Sequence, residues 1–435
     1  MRNPENVLNS LSKHSGNLNY KFERLYRVLF NEEMFYVAYQ NIYSKTGNMT
    51  AGADGKTIDG MSIDRVEQLI GSLKNETYQP NPSKRTYIPK KNGKKRPLGI
   101  PSFDDKLVQE VVRMILEAIY EGSFEHTSHG FRPKRSCHTA LIDIQKTFTA
   151  VKWFIEGDIK GFFDNINHDV LINILRERIA DERFLRLIRK FLNAGYVEDW
   201  VFHRTYSGTP QGGIISPILA NIYLDKFDKY IKEYINRFNK GVTRKGDARY
   251  KLYEQRRYRL AKKLKNEKDV KVRKQMTAEI KRLREERNNY PARNEMDSSI
   301  KRLKYVRYAD DFLIGITGNL KDCKTVKEDI KNYLNEALKL ELSDEKTLIT
   351  NAQKPAKFLG YDVFIRRCND LRKDKYGKTV RAFGHKPVLY LNFETMRKKL
   401  FDYKAARIAV VNGKEVWKSI VRTYMLNLDD LEIVS

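Results

Sequence analysis

Two adjacent carboxylates, Asp310 and Asp311, interrupt an otherwise apolar stretch from Leu303 to Thr317 (LKYVRYADDFLIGIT). The arms on either side have strand composition, which predicts two strands meeting at the acids. Neighbouring carboxylates that are partly buried repel each other and lose hydration, so such a turn is costly unless a cation binds there. A second apolar strand is predicted over Val151–Ile159 (VKWFIEGDI), and it carries Asp158 at its end. If the two elements are neighbours in one sheet, Asp158 faces Asp310. All-oxygen ligands of this kind suit Mg²⁺. A pair of such ions can activate a hydroxyl and neutralise a leaving pyrophosphate.

The charge of the whole chain says what lies opposite that site. Of 435 residues, 83 are Lys or Arg and 55 are Asp or Glu, a formal net charge of +28. Such a balance points to a polyanionic partner. Carboxylates for metal and a basic surface for a template together predict a nucleotidyl transferase. The hydrophobic fraction of 41% supplies a sizeable core and excludes wholesale disorder. The length suits two or three domains, or one elaborate fold. Cys137, Cys323 and Cys368 are too few and too scattered for a disulfide framework, which favours a reducing compartment. No apolar run reaches the roughly 18 residues that span a bilayer, so no membrane partner is expected. The first residues, MRNPENVLNS, lack the apolar centre of a signal peptide.

Along the chain, residues 1–50 read as helical and aromatic, and Ala51–Gly60 as a loop. Ile63, Val66, Leu69, Ile70 and Leu73 mark one face of a helix. Thr86–Pro89 and Arg96–Ile100 flank an Asn92-Gly93 dipeptide, a hairpin signal. That hairpin is crowded with Lys84, Arg85, Lys90, Lys91, Lys94, Lys95 and Arg96. Residues 104–121 and 169–194 read as helical. Gly208–Gly213 (GTPQGG) is a tight loop, and Ser216-Pro217 opens an apolar helix. Between 241 and 290 there are 18 Lys/Arg against 7 Asp/Glu over a thin apolar stripe. This predicts a solvated helical pair, inserted between core elements, with charge suited either to solvent or to RNA. Thr347–Thr350 and Lys357–Val363 read as short strands, and the pattern from 395 onward as helical and basic.

Two motifs fall short. Gly55-Lys56-Thr57 imitates the end of a phosphate-binding loop, but Thr50 stands where that motif needs glycine. His126, His129, Cys137 and His138 have no standard zinc spacing, and Arg132, Lys134 and Arg135 among them oppose a cation. Structural or nucleic-acid-contacting histidines are the better expectation.

Tyr308-Ala309-Asp310-Asp311 resembles the Tyr-x-Asp-Asp signature of reverse transcriptases. Asp158–Asp164 (DIKGFFD) resembles their first catalytic strand and the helix after it. Thr209–Gly213 with Ser216-Pro217 and Asn221, Leu342–Thr350 and Phe358–Tyr361 resemble the remaining blocks, in the family's order. His129–Pro133 with Arg135-Ser136 and His138, the AGADG loop at Ala51–Gly55 and the helical N-terminal extension are similar to group II intron-encoded reverse transcriptases, or maturases.

The resemblance implies an α+β right-hand polymerase fold. Its palm would be an antiparallel sheet backed by helices, its fingers helical with a basic β-hairpin. The implied organisation is an N-terminal extension and fingers over 1–150, palm over 151–230, a basic helical insertion over 231–302, palm again over 303–390, and the start of a thumb over 391–435. The resemblance implies a fingers–palm fragment with an incomplete thumb. The implied activity is RNA-directed DNA synthesis, adding dNTPs to a DNA primer on an RNA template with two Mg²⁺ ions. Intron RNA would be a further partner, for splicing and retrohoming. The expected location is the bacterial cytoplasm, with nucleoid association during retrohoming. A homodimer is compatible with an exposed thumb and a basic insertion.

The implied roles fall on named residues. Asp158 and Asp310 would hold metal, Asp311 would tune the site or contact metal more weakly, and the Ile159 carbonyl could add a ligand. Phe163 matches the steric gate under the sugar, with core packing as its alternative. Gln211 would line the nucleotide pocket. Arg96, and more weakly Lys90, would clamp the triphosphate. Lys346 would reach the pyrophosphate. Phe358, Leu359, Gly360 and Tyr361 would grip the primer, and Arg132 and Arg135 the template backbone. Lys262 and Lys263, within the basic insertion, would contact RNA by charge alone. The rivals are an RNA-dependent RNA polymerase, which Phe163 opposes, and a non-enzymatic RNA-binding splicing cofactor with a relic core, which the three retained acids oppose.

Overall fold

The computed structural model describes residues 3–419, apart from 45, 46, 48, 90–92, 94, 210, 211, 295, 296, 369, 374, 378, 382, 383, 412 and 413. Three helices come first: α1 (Pro4–Lys13), α2 (Glu32–Tyr43) and α3 (Ile63–Lys74). The basic hairpin follows as β1 (Ser83–Pro89) and β2 (Lys95–Ile100), then α4 (Phe103–Tyr120) and α5 (Cys137–Thr147). Next come β3 (Trp153–Asp158), the short α6 (Phe162–Asn165), α7 (His168–Arg176), α8 (Glu182–Leu192), β4 (Tyr196–Glu198), β5 (Val201–His203) and the long α9 (Ser216–Phe238). The basic stretch forms α10 (Ala248–Asn266) and α11 (Val270–Asn288). The acidic hairpin is β6 (Arg302–Tyr308) and β7 (Asp311–Thr317), followed by α12 (Leu320–Leu338). Short strands β8 (Leu348–Asn351), β9 (Ala356–Phe358), β10 (Tyr361–Arg366), β11 (Leu371–Lys373), β12 (Thr379–Arg381) and β13 (Lys386–Leu391) lead to α13 (Phe393–Asp402), β14 (Ala406–Val411) and β15 (Lys414–Ser419).

The central sheet has the order β6-β7-β3-β8, and every neighbour is antiparallel. Its inner strand β7 is an apolar run from Phe312 to Ile316 because both of its faces are covered. Ile155, Ile314 and Tyr305 pack into the larger core with α4, α9 and α12. Phe154, Leu313 and Val306 point the other way, into a second core with α5, β9 and β10. Register places Ile155 opposite Ile314 and Asp158 opposite Asp311, one residue on from the expected Asp310. A second sheet has the order β2-β1-β4-β5, with β1 and β4 parallel. Lys240 and Lys301 pair across the base of the α10–α11 insertion, so the chain leaves and re-enters the core at one point. Among the described residues no helix is long and apolar enough to cross a membrane, and Cys137, Cys323 and Cys368 are all free.

One expectation needs correcting. The helical pattern from 395 ends at Asp402, and residues 406–411 and 414–419 pair as an antiparallel ladder. The sequence ARIAVV-NG-KEVWKS carries β-branched residues on both sides of Asn-Gly, and these hairpin signals outweigh its basic composition.

Arg307 is the largest of the fully buried side chains, and the sheet is built around it. Its Nε and one Nη donate to the two Asp228 oxygens at 2.8 and 2.6 Å. The remaining N–H groups reach Ser128 Oγ, Asn221 Oδ1 and the Ala309 carbonyl. Tyr305 OH donates to the same Asp228 carboxylate at 2.6 Å. Removing one member strands the other charge in the core, at a cost of about 3–5 kcal/mol. Asp228→Ala should therefore lower the denaturant midpoint by that equivalent at unchanged slope, and Asp228→Asn by less. Chemical unfolding followed by circular dichroism checks both.

Candidate active site

Three of the expected acids meet at the end of the central sheet. Asp158 closes β3, Asp311 opens β7, and Asp310 sits in the turn between β6 and β7. Ala309 takes a left-handed conformation (φ 56°), which lets the chain reverse in two residues. Its carbonyl is held from below by Arg307 at 2.8 Å. Ser128 pairs with Arg307, and the His129 N–H donates to the Arg307 carbonyl. Gly130 then lies so close to the turn that an added Cβ would come within 2.3 Å of the Ala309 nitrogen. The Asn221 amide donates to the Gly130 carbonyl at 2.8 Å, tying this loop to α9.

The acids open onto a cavity of about 1030 Å³, lined also by Arg96, Phe131, Ile159, Phe163, Gly212, Gly213 and the segment Glu341–Lys346. Burial, followed by the charges of Asp310 and Asp158, pushes the Asp311 carboxyl up to about 7. Asp310 is raised as well, chiefly by burial, with Arg96 and Lys346 pulling the other way. Lys346 Nζ lies 2.9 and 3.0 Å from the two Asp158 oxygens. Three carboxylates thus share one half-buried place with one directly paired cation, and the site favours added positive charge. Among the described residues no three His, Cys, Asp or Glu side chains form a ready-made metal cage. An open donor set of carboxylates is what Mg²⁺ uses when substrate phosphates complete its shell, so the residues fit that ion.

Around the cavity, Phe163 sits half-buried in α6, its ring 6.3 Å from Phe131 and edge-on to it. Phe131 in turn lies 6.4 Å from Tyr308. The Phe163 carbonyl accepts from Thr209 N at 2.7 Å, which fastens the Gly-rich loop beneath it. At Gly212 (φ 115°) a Cβ would come within 2.4 Å of the Gly99 carbonyl, so this loop presses directly on β2 of the fingers. Gln211 and Lys90 lie outside the described residues.

The structure corrects the expected contacts of Arg132, Arg135 and Phe358. Arg132 is buried and bonded to the Glu121 carboxylate and the Glu125 and Ser128 carbonyls, so it braces the loop and offers no face to a phosphate. Arg135 is partly turned inward, donating to the His126 and Ser128 carbonyls. Phe358 is buried in the second core. The β9–β10 turn instead presents Leu359 and Gly360, both with positive φ, and half-exposed Tyr361. His129 is structural: its Nδ1 lies 2.9 Å from Thr139 Oγ1. Lys262 and Lys263 are exposed on α10, away from the cavity. Sequence reasoning missed Arg307, Asp228 and Phe131 as site-building residues. A charged residue in step with Leu303 and Tyr305 on a buried strand was the available signal for Arg307.

Comparison with known proteins decides the family. The family model described as reverse transcriptase (RNA-dependent DNA polymerase) matches residues 88–249 and 283–363. The group II intron-encoded protein LtrA of Lactococcus lactis is 44% identical over 434 residues, 99% of this chain and 71% of that protein. The chain belongs to the group II intron-encoded reverse transcriptases. A putative COX1/OXI3 intron 1 protein of Saccharomyces cerevisiae is 39% identical over 86% of this chain and 43% of its own length. Protein YkfC of Escherichia coli is 34% identical over 80% of this chain and 84% of its own. A solved telomerase from Candida albicans aligns with 76% of this chain and 51% of its own, at 15% identity and a TM-score of 0.40.

The tight approach of Gly130 to the catalytic turn of this reverse transcriptase gives a direct check. Gly130→Ala should displace Ala309 and lower primer extension at least about tenfold, with an overpacking cost of about 1–3 kcal/mol. Extension rates beside a thermal melt separate the two effects.

Proposed function

We propose that the site adds deoxynucleotides to a DNA primer on an RNA template, with two Mg²⁺ ions held by Asp158, Asp310 and Asp311 and by the Ile159 carbonyl. The observation that carries this reading is the convergence of three half-buried carboxylates on a cavity with a cationic rim. When bound, the ions supply activation of the primer 3′-hydroxyl and neutralisation of the leaving pyrophosphate. The chain's own groups do the rest. Arg96, on the fingers strand, faces the acids across the cavity and is placed to neutralise a triphosphate. Lys346 holds Asp158 through a salt bridge and, 68% exposed, has room to swing to the pyrophosphate. Phe163 offers its ring under the sugar, where a 2′-hydroxyl would collide. Arg307 fixes the turn so that Asp310 need not be reorganised during the reaction. Gln211 and Lys90 are assigned to the nucleotide from the family pattern alone. Intron RNA is the second nucleic-acid partner, for splicing and retrohoming, inside the bacterial cell.

Primer extension on an RNA template tests the assignment. The wild-type chain should extend with dNTPs and Mg²⁺ and far less with rNTPs. Asp310→Ala should lose about 10³-fold or more, about 4 kcal/mol of transition-state stabilisation. Extension by Asp310→Ala at the wild-type rate would remove the metal role. Phe163→Ala should narrow the dNTP preference about tenfold or more in competition assays, as expected where a steric contact sets specificity.

A further inference from the structure

The two insertion helices handle charge differently. On α11, Glu279 and Glu286 both pair with Arg282 along the exposed face, the mixed pattern of an ordinary solvated helix. On α10 the one acid, Glu254, is bonded by Arg257 and by Arg287 of the facing helix. Its carboxyl is held down to about 2, by the Arg257 hydrogen bond first. The outer face of α10 is left with cations only. Lys251, Arg256, Arg259, Lys262, Lys263 and Lys265 are exposed there. Among the described residues, Arg256, Arg259, Lys262 and Lys263 have no carboxylate within ion-pair distance. Like charges at these helical spacings destabilise an isolated helix, so the arrangement asks for an anion. Tyr258 stands among them with 66% of its surface exposed.

We propose that the outer face of α10 is a docking surface for folded RNA, engaged through the phosphates of a helix, with Tyr258 stacking on an unpaired base beside it. The proposal rests on the reading of the chain as an RNA-dependent polymerase and assigns its second RNA contact. From Lys251 to Lys265 the row is about 20 Å long at the α-helical rise, matching an extended backbone rather than a point ligand. A-form RNA presents phosphates and 2′-hydroxyls rather than readable base edges, and an exposed ring between arginines suits a base face. A membrane surface is disfavoured because this face has only Leu252 and Tyr258 as large apolar groups. No residue lining the cavity comes from residues 241–300, so RNA held here lies outside it.

The test is binding of an RNA hairpin, without primer or dNTP, across a salt series. Arg256→Gln/Arg259→Gln/Lys262→Gln/Lys263→Gln should weaken binding about tenfold or more and make the slope of log affinity against log salt shallower by about 3. The charge-keeping Arg256→Lys/Arg259→Lys should retain the wild-type slope. Tyr258→Ala should lose the added affinity for a hairpin with one bulged nucleotide while keeping the slope. Wild-type affinity and slope in the fourfold variant, folded by circular dichroism, would overturn the proposal. A wild-type chain that binds the hairpin with this charge dependence but extends no primer would sink the polymerase reading and still support this surface.

Discussion

The guanidinium of Arg307 lies beneath the Ala309–Asp310 turn, wholly buried, and each of its five N–H groups has an acceptor. Burying a guanidinium and a carboxylate costs several kcal/mol per ion before their attraction is counted. Here the bidentate contact to Asp228 and the complete set of hydrogen bonds offset that cost. The geometry also joins three separate parts of the chain. Asp228 and Asn221 come from α9, Ser128 from the loop before α5, and the Ala309 carbonyl from the turn itself. Because the donors form a rigid planar fork, moving any one partner moves the turn.

What the network supports is an unfavourable arrangement in the absence of cations. Asp158, Asp310 and Asp311 are partly withdrawn from water and repel one another, which lifts the Asp311 carboxyl to about 7. A flexible turn would relieve that repulsion by splaying the acids apart. Arg307 from below, Gly130 from the side and the β3–β7 ladder hold them together instead. The strain of the site is thus carried by its surroundings, and Lys346 compensates part of it through Asp158. The same logic runs in reverse on α10, where cations are grouped and their one acid is turned inward. Two concentrations of like charge, opposite in sign and on different elements, give this chain an active site and a candidate RNA-docking face.

Much of the sheet was readable from the sequence. The largely apolar segments Val151–Ile159 and Leu303–Thr317 were read as strands, and β3 and β7 fall within them. Pro217 opened α9 where its missing N–H costs nothing, and Asn92-Gly93 lay between β1 and β2. The tail after Asp402 was misread because charge was weighed above β-branched alternation. Arg132 was misread for a related reason: a basic residue in a loop suggests an exposed phosphate contact, and nothing local reveals that Glu121 and two carbonyls enclose it.

By itself, the sequence determined most of the element types, the net charge of the chain and which acids are candidates for the chemistry, because periodicity, turn residues and ionisable groups are local properties. Only the tertiary structure decided how those acids are held. That Arg307 pairs with Asp228, that Gly130 abuts Ala309, and that Gly212 presses on β2 are contacts between distant segments, set by packing that no local pattern encodes. The same holds for α10: its composition announced positive charge, but only the docking of α11 showed the acid turned inward and the outer face left to cations.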